Sequence, residues 1–358
     1  MVYYVIGLMS GSSHDGLDIN YVEITDVRND WSFEILHSDC IPFESNMKAQ
    51  LKDAIKLSVT DFLKLNTSFG RWIGEEVNKF IERHQLVHKV HFIASHGHTV
   101  FHDPQNKTST QIGEGASIAA ITNITTISDL RNMDVALGGQ GAPIVPIADR
   151  LFFKDFEYCL NIGGICNITY NNENPIAFDI APANQVLNFY ANKLGKEYDS
   201  NGDIAAEGTI NIQLFEDLNK LDFYQKSAPK SLANSYSNHL IDIITESRLE
   251  SISDILATLV EHIAYQIASV TRSHNDAVKL LVSGGGAHNL YLMDRLGEHL
   301  QKKNIELIIP QKEIIDNKEA LAMALLGVLR WREENNVLCS VTGASRNSIG
   351  GAMWLGNL

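Results

Sequence analysis

Val2-Tyr-Tyr-Val-Ile-Gly-Leu-Met-Ser-Gly-Ser-Ser-His-Asp-Gly-Leu-Asp-Ile-Asn-Tyr-Val-Glu-Ile-Thr25 contains two runs rich in β-branched and aromatic residues. Val2–Met9 and Leu17–Thr25 therefore read as strands. Between them, Gly11-Ser-Ser-His-Asp-Gly16 supplies the φ freedom and side-chain hydrogen bonding that a hairpin turn needs. A third strand is expected at Ser32–Ser38, then helices at Asn46–Leu57 and Thr60–His84, then a buried strand at His91–Ser95. The succession returns about 155 residues later. Tyr158–Ile162 is a strand, Gly163-Gly164 a turn, Ile165–Tyr170 the returning strand, Ile176–Asp179 a third, and a helix begins near Ala183. A β-β-β-α unit used twice outlines a two-lobed α/β fold with a cleft between the lobes.

Further along, Ile252, Ile255, Leu256, Leu259, Ile263, Ile267 and Val270 recur at helical spacing, so Ile252–Arg272 is a helix with one apolar face. Lys279–Val282 reads as a buried strand, followed by Ser283-Gly-Gly-Gly-Ala-His-Asn289 and a helix carrying Leu292, Met293, Leu296 and Leu300. Lys318–Trp331 is a third helix, and Val341-Thr-Gly-Ala-Ser-Arg-Asn-Ser-Ile-Gly-Gly351 a glycine-rich loop. No low-complexity linker divides the chain. The boundary is expected near Asn132–Ala142, giving one lobe of residues 1–133 with 341–358 and another of 134–340.

The net charge of −14 disfavours nucleic acid and anionic membrane as partners, since both are polyanions. It leaves room for an anionic ligand held by glycine-rich turns, helix N-termini or a metal ion. Cys40, Cys159, Cys166 and Cys339 form no C-x-x-C pair and read as small core residues, which suits a reducing compartment. Met-Val-Tyr-Tyr-Val-Ile-Gly7 lacks the features of a secretory signal, and no apolar run is long enough to span a bilayer, so the cytoplasm is expected.

Four constellations can carry chemistry. Gly7–Asp18 offers backbone N–H groups and hydroxyls that can cradle phosphate oxygens, with Asp15 and Asp18 placed to orient a hydroxyl or a magnesium-bound water; an ordinary hairpin is the alternative. Asp179 follows an apolar strand and precedes a helix, which suits a general base or, equally, a helix N-cap. Gly284, Gly285 and Gly286 remove side chains where something flat or anionic approaches, or simply make a tight turn. Neither a Walker loop nor a Rossmann G-x-G-x-x-G is present. In Ser95-His-Gly-His-Thr99 with His102, no acidic partner stands at helical ligand spacing. Hydrogen bonding is expected there rather than zinc. Arg131, flanked by Asp129 and Asp134, can bind a carboxylate bidentately or serve a structural ion pair.

In order and nearly end to end, these segments resemble the anhydro-N-acetylmuramic acid kinase family. Gly7-Leu-Met-Ser-Gly-Ser-Ser-His-Asp-Gly16 is similar to its G-x-M-S-G-T-S-x-D-G, and Ser95-His-Gly-His-Thr-Val-Phe-His102 to S-H-G-Q-T-x-x-H. Thr110–Gly113, Asp129-Leu-Arg131 and Gly138-Gly-Gln-Gly-Ala-Pro143 resemble T-x-Q-I-G, D-F-R and G-G-Q-G-A-P. Asn161-Ile-Gly-Gly-Ile-Cys-Asn167 resembles N-I-G-G-I-A-N, and Ser283–Asn289 resembles C-G-G-G-A-H-N; Glu319-Ala320 and Val341-Thr-Gly343 complete the series.

The resemblance implies the sugar kinase/Hsp70/actin superfold with a duplicated βββαβα core. It implies ATP and Mg²⁺, a homodimer, and a place in peptidoglycan recycling. It implies hydrolysis of the 1,6-anhydro bridge of anhydro-N-acetylmuramic acid with phosphorylation of O6. Asp179 stands at the position of the family's base. Gly11, Ser12, Ser13, His14, Asp15, Gly16, Leu17 and Asp18 would line the phosphates, with Gly163, Gly164, Gly284, Gly285 and Gly286 also on the nucleotide. His98, Asp129, Arg131 and Glu319 are the candidates for sugar recognition. The family's F-D-T-G-P-G-N is here Phe178-Asp-Ile-Ala-Pro-Ala-Asn184, His14 replaces an apolar residue, and His98 replaces Gln. Alanine where φ > 0 is needed would be strained, and a bulkier wall would narrow the site. A non-catalytic sugar or nucleotide sensor on the same scaffold, or a kinase for another anhydrosugar, is the competing expectation. A filament-forming or chaperone-like ATPase has no support in these segments.

Overall fold

The hairpin at the head of the chain forms as its composition demands. In the computed structural model, which describes residues 1–11, 16–233 and 235–357, the strands are β1 (Val2–Ser10), β2 (Gly16–Val27), β3 (Asp30–Pro42), β4 (Phe92–Asp103), β5 (Thr108–Ile112), β6 (Thr126–Ser128), β7 (Tyr158–Ile162), β8 (Ile165–Tyr170), β9 (Ile176–Pro182), β10 (Val278–Ser283), β11 (Ile305–Ile308) and β12 (Ala352–Trp354). The chain divides into two compact units, Met1–Phe153 with Asn317–Leu358, and Lys154–Asp316.

In the first unit the sheet runs β12-β6-β4-β1-β2-β3, with β5 added on β4. β1 and β2 pair antiparallel down to Ser10 opposite Leu17, β2 and β3 pair antiparallel, and β1 is parallel to β4. The helix Val59–Arg83 starts at Ser58, whose hydroxyl accepts from the Asp61 N–H, and it buries Leu65, Phe69, Ile73, Val77 and Phe80. These meet Ile6, Leu8, Ile19 and Ile93 of the sheet in one apolar core. On the opposite face lies the helix Lys312–Trp331. Gly7 of β1 permits its close approach, because a Cβ there would overlap the Ala320 carbonyl.

The second unit repeats the plan. Its sheet order is β11-β10-β7-β8-β9, with β7–β8 and β8–β9 antiparallel and β7–β10 and β10–β11 parallel. That matches β6-β4-β1-β2-β3 strand for strand, which is the duplicated core expected. The helix Ile252–Val270 is buried on almost every side, beyond the single face read from its pattern, because Ala257, Val260, Ala264 and Ala268 also pack inward.

The division at Phe153/Lys154 and Asp316/Asn317 differs from the expected 133/134 and 340/341. Phe152 and Phe153 pack on Phe33 of β3, with ring centroids 4.7 and 5.7 Å apart. Lys318 pairs with Asp149 at 2.7 Å, both side chains nearly fully buried. These contacts hold residues 134–153 and 317–340 to the first unit. None of its helices, nor any other among the described residues, is long and apolar enough to cross a membrane.

Candidate functional site

In the first unit, Gly11 follows β1, while Ser12, Ser13, His14 and Asp15 lie outside the described residues. Gly16 and Leu17 are buried in the hairpin and Asp18 is half-buried. His98 is buried, with Nδ1 2.9 Å from the Ser10 hydroxyl. His96 has the clearer role. Arg131 Nε donates to His96 Nε2 at 2.8 Å, so the ring proton is on Nδ1, 2.9 Å from the Gly97 carbonyl that accepts it. Burial, reinforced by the Arg131 charge, lowers the His96 pKa to about 3, which keeps the ring neutral.

Arg131 Nη1 also donates to the Gly141 carbonyl at 2.6 Å. Of the two alternatives for Arg131, the ion pair with Asp129 or Asp134 does not form; no carboxylate of the described residues lies within 4.0 Å of the guanidinium. Asp134 is instead fully buried. It accepts from the Gly141 N–H at 2.8 Å and the Thr342 hydroxyl at 2.7 Å. Arg131 is thereby held at Nε and at Nη1, and its remaining N–H groups carry no bond to a described residue. Burial brings it down to about 10, against the raising effect of Glu319 and Asp134, so it stays charged at neutral pH. The Glu319 carboxyl is pushed up, first by burial and then by the charge of Asp18, with Arg131 and Lys318 opposing.

Asp129 adopts a left-handed backbone, φ 58°. Ser128 donates to its Oδ2 at 2.6 Å, and Trp354 Nε1 donates to Ser128 at 3.0 Å. Strand β12 thus reaches back to orient Asp129. Aspartate is among the residue types that adopt this conformation most readily.

In the second unit, β9 continues past Asp179 to Pro182, so Asp179 is no helix cap; the cap of the helix Asn184–Asn192 is Ala183 and uses no side chain. Asn167 pairs with Asp179 and Cys166 with Ala181, which leaves Ile180 as a bulge residue beside the carboxylate. Asp179 Oδ2 accepts from the Leu232 N–H at 2.8 Å and from Ser231 Oγ at 3.3 Å. Burial raises its affinity for a proton, and the two donors oppose this. The positive φ that would strain an alanine is absent at the replaced glycines. Ala183 has φ −128°, and neither Ile180 nor Ala181 is left-handed. Cys166, behind the strand, donates to the Ala181 carbonyl; burial pushes its thiol up to about 12.

The Gly163 and Gly164 carbonyls accept from the Ala183, Asn184 and Gln185 N–H groups at the start of that helix. Gly284 (φ +81°) and Gly286 answer to packing, since a Cβ on either would collide with Asn161 or Ile162 of β7. Only Gly285 is exposed, with Asn184 Nδ2 3.7 Å from where its Cβ would be. Two of these three glycines are therefore required by the close approach of the protein's own strand β7. Ser231 and Leu232 were not legible as partners of Asp179: they lie 52 and 53 residues away in sequence, in a stretch without periodic pattern.

A family model described as anhydro-N-acetylmuramic acid kinase matches residues 3–356. A protein of that name from Sulfurimonas denitrificans is 33% identical, covering 99% of this chain and 100% of its own length. Another, from Photobacterium profundum, is 34% identical over 98% of each chain. The solved activator of 2-hydroxyisocaproyl-CoA dehydratase from Clostridium difficile with bound ADPNP is 14% identical, with a TM-score of 0.46 over 92% of this chain and 96% of its own.

Proposed function

Because the chain belongs to the anhydro-N-acetylmuramic acid kinase family, we propose that it opens the 1,6-anhydro bridge of 1,6-anhydro-N-acetylmuramic acid with water and moves the γ-phosphoryl group of ATP to O6. The products are N-acetylmuramic acid 6-phosphate and ADP. Asp179 takes a proton from the water as its oxygen bonds to C1. The C1–O6 bond breaks with its electron pair on O6. O6 then bonds to the γ-phosphorus as the bond to the bridging oxygen of ADP breaks. One observation supports this most: Asp179 is half-buried, its Oδ2 is held by two donors, and its Oδ1 accepts no bond from a described residue. A carboxylate so placed is oriented and left with one basic oxygen.

Arg131, held at Nε by His96 and at Nη1 by Gly141, offers its remaining N–H groups to the sugar's carboxylate. Asp129, His98 and Glu319 take the remaining polar groups of the sugar. Gly11–Asp18 lines the phosphates, and Gly163, Gly164 and Gly284–Gly286 the rest of the nucleotide. Asp18 and Glu319 suit Mg²⁺: they are hard oxygen donors whose charges oppose each other, a pair that a divalent cation relieves. When bound with ATP, the ion screens the phosphate charges. The enzyme acts in the cytoplasm, in peptidoglycan recycling.

The test incubates the protein with ATP, Mg²⁺ and anhydro-N-acetylmuramic acid and follows ADP and sugar phosphate. Turnover is expected, and Asp179→Asn should lower it by about 100- to 10,000-fold. Undiminished turnover in that variant removes Asp179 as the base. Turnover on another anhydrosugar and none on this one removes the substrate.

A further inference from the structure

We infer that Ser231 and the Leu232 amide are positioning residues for the Asp179 carboxylate, and that the segment they belong to sets the orientation and basicity of that group. This rests on Asp179 acting as the base.

Three bonds join the segment to Asp179. The Asp179 N–H donates to the Lys230 carbonyl at 2.9 Å, the Leu232 N–H donates to Oδ2 at 2.8 Å, and the Ser231 hydroxyl donates to Oδ2 at 3.3 Å. Both side-chain bonds end on the same oxygen. They fix the carboxylate plane and leave Oδ1 as the oxygen that can face a reactant. Both also favour the ionised form, which burial disfavours.

The segment is itself anchored. Lys230 Nζ donates to the Phe223 carbonyl at 3.1 Å and stands 4.5 Å from the centre of the buried Phe223 ring. Next to it, the Tyr224 hydroxyl donates to His262 Nε2 at 3.0 Å, and His262 Nδ1 donates to Asn219 Oδ1 at 2.7 Å. His262 is fully buried within the helix Ile252–Val270. The support of the carboxylate thus continues into the core of its own unit rather than ending in a loose loop. Ser231 is exposed, so truncating it removes the hydroxyl without opening a cavity.

The sign follows from the donor. A hydroxyl that donates to the anion stabilises it, and only the anion accepts a proton from water. Losing the hydroxyl therefore makes the carboxylate hold its proton to higher pH. The test measures kcat against pH for the full chain, for Ser231→Ala, Ser231→Thr and Asp179→Asn, with anhydro-N-acetylmuramic acid and saturating ATP. The expected result for Ser231→Ala is an acid limb displaced to higher pH, with kcat about tenfold lower on that side and nearly restored on the alkaline side. Ser231→Thr keeps the donor and should follow the parent profile, and the KM for ATP should not change. A Ser231→Ala profile that superimposes on the parent's, or falls equally at every pH, overturns the inference. If Asp179→Asn stays active, it is the base assignment that has failed, and the two failures are told apart.

Discussion

Replacing Asp134 with alanine should destabilise the first unit more than any surface change could. The carboxylate accepts from the Gly141 N–H and the Thr342 hydroxyl, and all three residues are buried. A hydrogen bond to a charged acceptor contributes about 1.5–3 kcal/mol, and an orphaned buried donor costs about 1–3 kcal/mol. Part of this is offset because the carboxylate no longer has to be desolvated, which leaves a net loss of about 3 kcal/mol. With a urea slope of about 2 kcal/mol per molar, the midpoint should fall by about 1.5 M. The assay is selective. Trp31, Trp72, Trp331 and Trp354 are all of the tryptophans and all lie in the first unit, so their fluorescence follows that unit alone. Thr342→Val removes one of the two bonds and should cost about 1.5 kcal/mol, and in the Asp134→Ala background it should cost about 1 kcal/mol less than that. An Asp134→Ala midpoint within about 0.5 kcal/mol of the parent, or two losses that simply add, would refute the reasoning.

Two further outcomes follow from burial. His96 and His262 are both lowered to about 3 by desolvation, so each stays neutral in the folded chain while its unfolded counterpart protonates below about 6.5. The unfolded state then binds more protons, and stability falls as pH drops from 6.5, by about 1.4 kcal/mol per pH unit for each ring. His262→Gln should flatten that slope in unfolding curves taken between pH 6.5 and 5; an unchanged slope counts against it. In the second unit, Gly286→Ala places a methyl group into Ile162 and should lower the melting temperature by several degrees. Gly285→Ala should melt like the parent yet raise the KM for ATP, and an unchanged KM would remove Gly285 from the nucleotide site.

Much of the architecture was readable because hairpin signals are local. Tyr158–Ile162 and Ile165–Tyr170 form strands with the bounds their composition suggested. The short strands Thr108–Ile112, Thr126–Ser128 and Ala352–Trp354 were not legible, since three to five residues carry too little alternation; they exist by pairing with β4 and β6. The same division holds for chemistry. Asp179 stood out as a carboxylate following an apolar strand, and Arg131 as a cation between Asp129 and Asp134. Their supports did not, because each comes from a distant segment: Leu232 for Asp179, His96 and Gly141 for Arg131, Trp354 through Ser128 for Asp129.

The altered motif after Asp179 shows what such supports decide. Read as sequence, Ile180, Ala181 and Ala183 were expected to strain the backbone or crowd the ligand. All three are instead completely buried and belong to the apolar core with Cys166, Phe178 and Leu187. The added bulk is enclosed in that core while Asp179 remains half-exposed, and the backbone needs no left-handed residue there. A methyl or a sec-butyl group that fills core volume has no reason to touch a sugar. What fixes the carboxylate lies on the other flank, in the Lys230 carbonyl, the Ser231 hydroxyl and the Leu232 N–H, none of which depends on those replaced side chains. The replacements are therefore a repacking behind the carboxylate, and the altered motif gives no ground for reading the chain as an inert relative.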